Sequence, residues 1–96
     1  MDNDTLLTRE LHALAASYRG GCIGLPTLAS RAESLVEQMC DQLPTAVFSG
    51  AMNCVYLIEE INAIILDENR PITDGERGMI DQQLETLTEL ILPAAS

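Results

Sequence analysis

Apolar residues recur at helical spacing in four stretches of the chain. In the first stretch the stripe consists of Leu7, Leu11, Leu14 and Tyr18. These positions fall on one face of a helix. Asn3 or Asp4 is placed to cap its start, and Gly20–Gly21 supply the left-handed residue that commonly follows a helix end. The pattern predicts a first helix over residues 4–18.

A second stripe begins after the glycine-rich joint GCIGLPT. It consists of Leu28, Ala32, Leu35, Met39 and Leu43, widened by Val36 and Cys40. Pro26 suits the first position of a helix because its missing N–H would have no partner there. Pro44 cannot continue the helix. The pattern predicts a second helix over residues 26–43.

The third stretch is apolar on nearly every side between Cys54 and Leu66. VYLI alone resembles a strand, but the apolar run from Val47 to Leu66 is too long for one. We therefore expect a helix over residues 46–67, closed by Asn69 and the following Arg-Pro pair. Such a helix is either central or carries a second apolar face for another protein.

The fourth stretch opens with Thr73 and Glu76 at capping-box spacing. Its stripe consists of Ile80, Leu84, Leu87 and Ile91. The predicted helix covers residues 74–92 and ends at Pro93. Four helices with short connections predict an all-α, antiparallel four-helix bundle, formed as one domain over residues 1–96.

Charge narrows the class of partner. Fifteen acids face five arginines and no lysine, for a net charge of −10, and residues 41–96 hold ten of those acids and two of the arginines. A field of this sign repels nucleic acid and anionic membranes and attracts basic proteins. Solubility alone is the competing explanation. We expect no direct binding of nucleic acid or membrane.

The three cysteines, Cys22, Cys40 and Cys54, are widely spaced and form no CxxC or Cys/His cluster. Cys40 and Cys54 fall within apolar stripes and are predicted to be core thiols, whereas Cys22 lies in the glycine loop and is the one expected to be exposed. Three free thiols favour a reducing compartment. No signal-peptide pattern or long apolar span is present, so we expect a cytoplasmic protein.

Catalytic groups are sparse. His12 is the single histidine, and no carboxylate lies three or four residues from it. The Gly20–Gly24 run matches neither a P-loop nor a dinucleotide fingerprint and is interpreted as a turn. Carboxylates on the third helix lack the histidines of a di-metal bundle. We expect no catalytic residue, no metal, no cofactor and no enzymatic activity.

The acidic surface is the best candidate for function. Asp81, Glu85 and Glu89 follow one another at four-residue steps, about 6 Å apart along the helix. Like charges at that spacing repel, and a basic partner would relieve the repulsion. The predicted partner-binding residues are Glu59, Glu60, Asp67, Glu68, Asp74, Asp81, Glu85 and Glu89.

Two segments resemble a known family. The segment LLTRELHALAASYRGGCIGLPTLASRAESLVEQM is similar in layout to small bacterial immunity proteins of the colicin D and contact-dependent inhibition kind. Tyr18, Gly20 or Gly21, Ile23 and Leu28 occupy the family's helix–glycine–apolar–helix layout. RPITDGERGMIDQQLETLTELI resembles the family's capped, acidic last helix, although the family usually has more aromatic residues and some lysine. The resemblance implies an acidic four-helix inhibitor that blocks the cleft of a basic toxin, often a nuclease.

The leading hypothesis is a binding protein that occludes a basic, nucleic-acid-acting protein. A phage-encoded inhibitor of a bacterial defence complex would use the same physics. The alternative is a self-associating helical adaptor or secretion chaperone, which would form a homodimer through the third helix.

Overall fold

The computed structural model describes the backbone of residues 3–95 and the side chains of residues 6–91. The prediction of an all-α chain is confirmed, since the described part contains four helices and no strand. The helices are α1 (Asn3–Arg19), α2 (Leu25–Gln38), α3 (Thr45–Glu68) and α4 (Asp74–Ala95). The side chains of the predicted caps, Asn3 and Asp4, lie outside the described ones.

The helices contact one another in a closed order. α1 packs on α2, α2 on α3, α3 on α4, and α4 returns to α1. α3 has 24 residues and is therefore about 36 Å long, close to the 41 Å long dimension of the molecule. This bundle-like arrangement leaves one side of each helix facing solvent.

The predicted apolar stripes meet in one core. Its fully buried large side chains are Leu11 of α1, Leu28 and Val36 of α2, Met39 just after α2, Val55 and Ile58 of α3, and Ile80, Leu84, Leu87 and Ile91 of α4. No polar or charged side chain is buried among the described residues. The core is therefore held by apolar burial, worth roughly 1.5–3 kcal/mol for each large aliphatic side chain.

Three predicted helix ends are built as their sequences indicate. Gly21 has φ +80°, and the N–H of Cys22 donates to the carbonyl of Ser17 at 2.8 Å. Asn69 is also left-handed, with φ 49° and ψ 54°, and closes α3. The N–H of Glu76 donates to Thr73 Oγ1 at 3.1 Å, and the N–H of Thr73 donates to Glu76 Oε1 at 3.0 Å. This reciprocal pair is the predicted capping box.

Two boundaries differ from the prediction by more than one residue. α2 ends at Gln38 rather than at residue 43, and turns carry the chain to Pro44. Met39 and Leu43 remain buried in those turns, so burial continues where the helix does not. α4 runs to Ala95, past Pro93. A proline removes one backbone hydrogen bond, a small loss this close to a helix end.

The early end of α2 also overturns one core assignment. Cys40 is exposed, with its thiol 3.7 Å from Asp41 Oδ1, because the turn carries its side chain away from the core. Cys22 is exposed and Cys54 is buried, as predicted, and none of the three cysteines is in a disulfide.

The described helices include none with the length and apolar composition that a membrane crossing requires.

Candidate functional site

The side of α3 that faces away from the core is the most distinctive surface of the molecule. We call it the outward face of α3. It comprises seven exposed residues: Asn53, Tyr56, Leu57, Glu60, Ala63, Ile64 and Asp67. Because successive helical residues are 100° apart, these positions lie opposite the core residues Val55 and Ile58. The helix therefore has two usable sides, one for the core and one for solvent.

Large apolar side chains stand on that outward face. Tyr56 is 54% exposed, Leu57 42% and Ile64 41%. Scattered exposed apolar residues are ordinary, but three within nine residues on one face of one helix form a patch. The sequence left open whether the third helix is central or has a second apolar face, and these exposed side chains favour the second alternative.

Two of the predicted acids lie next to these apolar side chains. Glu60 and Asp67 are exposed, and in the described part of the chain neither makes a hydrogen bond or an ion pair. Glu60 is four residues after Tyr56, and Asp67 three after Ile64, so each acid is a helical neighbour of an exposed apolar group. The face combines apolar area with unneutralised negative charge.

Glu68 and the joint between α3 and α4 are occupied by interactions within the chain. The Arg70 guanidinium pairs with Glu68 through Nε and with both carboxylate oxygens of Glu76 at 2.8 Å. The Arg70 hydrogen bonds, together with the Thr73 N–H, lower the pKa of Glu76 to about 2. Glu68 therefore has an ion-pair partner within the chain.

The α4 stripe is partly neutralised. Arg19 Nε lies 3.4 Å from Asp81 Oδ1, and both side chains are about half exposed, so the pair is a weak one. Glu85 and Glu89 are exposed and have no ion-pair partner among the described residues. Of the three acids in the stripe, only Asp81 is therefore paired with a basic side chain among the described residues.

A shallow groove of about 710 Å³ runs between α1 and α4 beside that stripe. His12, Arg19, Thr88, Glu85 and Glu89 contribute to its walls. The sequence places no carboxylate three or four residues from His12 along α1, but packing brings two carboxylates from α4 to the same groove. The neighbourhood of His12 is therefore acidic.

Glu59 occupies a different environment from Glu60. It is half-buried and faces Glu33 and Glu37 of α2, and a hydrogen bond with Glu33 raises its pKa to about 7, with burial and the two like charges acting in the same direction. Sequence reasoning missed both α2 acids. Their four-residue spacing on one helix face was the available signal.

The remaining predicted acid, Asp74, begins α4 and is exposed. A carboxylate in the first turn of a helix interacts favourably with the helix dipole, which gives Asp74 a structural role. Among the residues that the structure describes, no three side chains of His, Cys, Asp or Glu are grouped so that they could hold a metal ion.

The eight predicted acids therefore lie in several separate environments. Glu60 and Asp67 lie on the outward face of α3, Glu85 and Glu89 beside the α1–α4 groove, and the others in ion pairs, a carboxyl cluster or a helix start. Comparisons of the chain with protein-family models, with curated proteins and with solved structures find no match. Function must accordingly be argued from these surfaces.

Proposed function

We propose that this chain is a binding protein, not an enzyme, and that the outward face of α3 docks a basic protein. The observation that carries the proposal is the interleaving of exposed Tyr56, Leu57 and Ile64 with the unpaired acids Glu60 and Asp67. The matching partner surface has apolar side chains flanked by lysine or arginine, such as one face of a cationic amphipathic helix.

The two kinds of group contribute differently. Apolar area removed from water supplies affinity, at about 25 cal/mol per Å². Tyrosine is also favoured at binding hot spots because it offers a large, rigid contact. The acids select a basic partner, and the net charge of −10 accelerates encounter with it.

The biological activity we assign to this docking is inhibition. A basic surface that binds nucleic acid is blocked when an acidic protein covers it, which is also what the resemblance to small bacterial immunity proteins implies. The proposal includes an antiparallel arrangement of the four helices and a cytoplasmic location, the latter supported by three free thiols. A phage-encoded inhibitor of a bacterial defence complex remains within the same proposal.

Self-association through α3 is the second candidate, favoured by the same exposed apolar side chains. Charge argues against it. Two copies joined at this face would bring Glu60 and Asp67 of one copy against the acids of the other, and each copy already carries −10. Sedimentation velocity at micromolar concentration distinguishes the two: a monomer supports the basic-partner proposal, and a dimer lost in Tyr56→Ser supports self-association.

The decisive test compares capture by matched variants. Tagged protein is incubated with bacterial lysate at low salt, and the captured basic protein is then purified for direct binding. One bait removes two charges from α3 (Glu60→Gln with Asp67→Asn), and another removes apolar area (Tyr56→Ser with Ile64→Ser). A third removes two charges from α4 (Glu85→Gln with Glu89→Gln) and is the charge-matched control.

We expect the parent protein and the α4 control to bind the purified partner and to block its binding to nucleic acid. Both α3 variants should bind at least ten-fold more weakly, with the charge variant losing mainly association rate. If the α3 and α4 charge variants lost affinity for the partner equally, the acids would act only through the net charge of the protein and not as a binding site on α3. Loss in the α4 variant alone would move the site to the α1–α4 groove.

A further inference from the structure

A cavity of about 380 Å³ opens at the end of the molecule where α1 ends and α2 and α4 begin. Four polar side chains line it: Tyr18, Arg19, Arg77 and Asp81. Its volume falls within the roughly 300–1,000 Å³ range of small-molecule sites. It shares no lining residue with the outward face of α3, so a ligand here is independent of the docking proposed above.

The charge in this cavity is opposite to that of the protein. Arg19 and Arg77 supply two positive charges against the single negative charge of Asp81, in a chain whose net charge is −10. Arg19 is loosely paired with Asp81 at 3.4 Å. Within the described residues the Arg77 guanidinium makes no hydrogen bond or ion pair, and it is exposed. One guanidinium is thus ready for an external anion.

Tyr18 connects the two charged sides of the cavity. Its side chain is half-buried, and its pKa is raised by burial and by Asp81, with Arg77 opposing. Tyr18 therefore lies in the same cavity as both charged groups and is influenced by each. The Tyr18 hydroxyl makes no hydrogen bond within the described part of the chain, which leaves it able to donate to a ligand oxygen.

The rest of the cavity is apolar. Ile23, Leu25 and Ile72 are half-buried, pack against the core and form one wall. The backbone of Gly24 lies beside them at the start of α2, where no side chain caps the helix and no acid occupies the first turn. The partial positive charge of that helix end adds to the two guanidiniums.

From this combination we infer that the cavity binds a small organic monoanion, a carboxylate attached to an apolar ring or short chain. The carboxylate pairs with Arg77 and accepts a hydrogen bond from Tyr18, while the apolar part lies against Ile23, Leu25 and Ile72. A guanidinium and a carboxylate match in geometry, with two parallel N–H···O bonds. The net charge of +1 in the cavity suits a monoanion better than a dianion such as a phosphate monoester.

The test is a titration of the full chain followed by ¹H–¹⁵N correlation spectra. Benzoate and hexanoate are the carboxylate probes, benzyl alcohol and hexanol are neutral probes of matching shape, and phenyl phosphate is the dianionic probe. The variant Arg77→Gln removes the unpaired guanidinium. Arg9→Gln, an exposed arginine on α1 outside the cavity, is the charge-matched control.

We expect benzoate or hexanoate to shift the amide signals of Gly21, Gly24 and Ile72 saturably. The dissociation constant should rise at least ten-fold in Arg77→Gln and stay unchanged in Arg9→Gln, and the alcohols should not saturate. Arg77 is exposed, so Arg77→Gln should fold like the parent protein. A dispersed ¹H–¹⁵N spectrum of the variant would verify this.

Three results would overturn the inference. Shifts that never saturate, or that spread over the whole surface, would mean that the cavity holds no anion. If Arg9→Gln weakened carboxylate binding as much as Arg77→Gln does, binding would depend on the net charge of the protein and not on the cavity. If phenyl phosphate bound more tightly than benzoate, the cavity would prefer a dianion, and the inferred class of ligand would be wrong.

Discussion

The guanidinium of Arg70 donates one hydrogen bond to each carboxylate oxygen of Glu76, both at 2.8 Å. The same carboxylate accepts the N–H and the hydroxyl of Thr73 at 3.0 and 3.1 Å. One side chain therefore ties the end of α3 to the start of α4. The connection over residues 69–73 is therefore joined to the first turn of α4 by polar contacts from both Arg70 and Thr73.

Replacing Thr73 by alanine tests the capping half of this joint. The variant loses the hydroxyl that accepts the Glu76 N–H, and the loss of such a cap costs about 0.5–2 kcal/mol. The free energy of unfolding from urea denaturation measures it. Thr45→Ala, at an exposed threonine without a side-chain hydrogen bond, should change stability by much less.

Acid should release the ionic half of the joint. The pKa of Glu76 is lowered from 4.5 to about 2, so its ionised form is favoured in the folded protein. The stability it contributes is complete above pH 4.5 and is lost as the pH falls through about 2. We expect Glu76→Gln to be less stable than the parent at neutral pH, with the gap closing between pH 4.5 and 2. A gap that stays constant down to pH 2 would contradict the role of the charge.

Glu59 should show the opposite pH dependence. Its pKa is raised from 4.5 to about 7 by the hydrogen bond with Glu33, by burial and by the charges of Glu33 and Glu37. The stability associated with its protonated form is complete below pH 4.5 and is lost as the pH rises through about 7. We expect the urea midpoint of Glu59→Gln to be higher than that of the parent protein at pH 8 and equal to it at pH 4. Urea denaturation across pH 4–9 measures this difference.

The exposed neighbour provides the control for that experiment. Glu60→Gln removes the same charge from the same helix but faces solvent. Its urea midpoint should follow that of the parent protein across the whole pH range. If Glu60→Gln gained as much stability as Glu59→Gln at pH 8, relief of general repulsion would replace the carboxyl cluster as the explanation.

Gly78 lowers the helix propensity of α4, and no neighbouring atom requires a glycine at this position. A Cβ added there meets nothing within 4 Å, and the residue lies inside the helix with φ outside the left-handed region. We expect Gly78→Ala to raise the free energy of unfolding by about 0.5–1 kcal/mol. Gly21→Ala should be destabilising instead, because φ is +80° at that position.

Local signals in the sequence were reliable because the structures they specify are local. The capping box of Thr73 and Glu76, the left-handed Gly21 and the left-handed Asn69 each depend on residues within one helical turn. The end of α2 could not be found this way, since Met39 and Leu43 keep the apolar spacing while the backbone leaves the helix. Apolar spacing reports burial, and burial continues through a turn.

The candidate surfaces depend on contacts between distant parts of the chain. Arg19 and Asp81 are 62 positions apart, and Glu59 meets Glu33 only because α2 packs beside α3. No spacing rule connects such pairs. The sequence therefore identifies the acids but does not show which of them are paired, clustered or unpaired. It also gives no indication of the cavity beside Arg77.

Each helix packs against two others, so each one covers part of the apolar surface of two neighbours. Detaching any one of them exposes the apolar stripes of two neighbours, so the described part of the chain should melt in a single cooperative transition. A partner bound to α3 alone then raises the melting temperature of the whole unit, since binding energy adds to the folded state. Amide protons of α1, a helix that does not contact α3, should exchange more slowly in the complex.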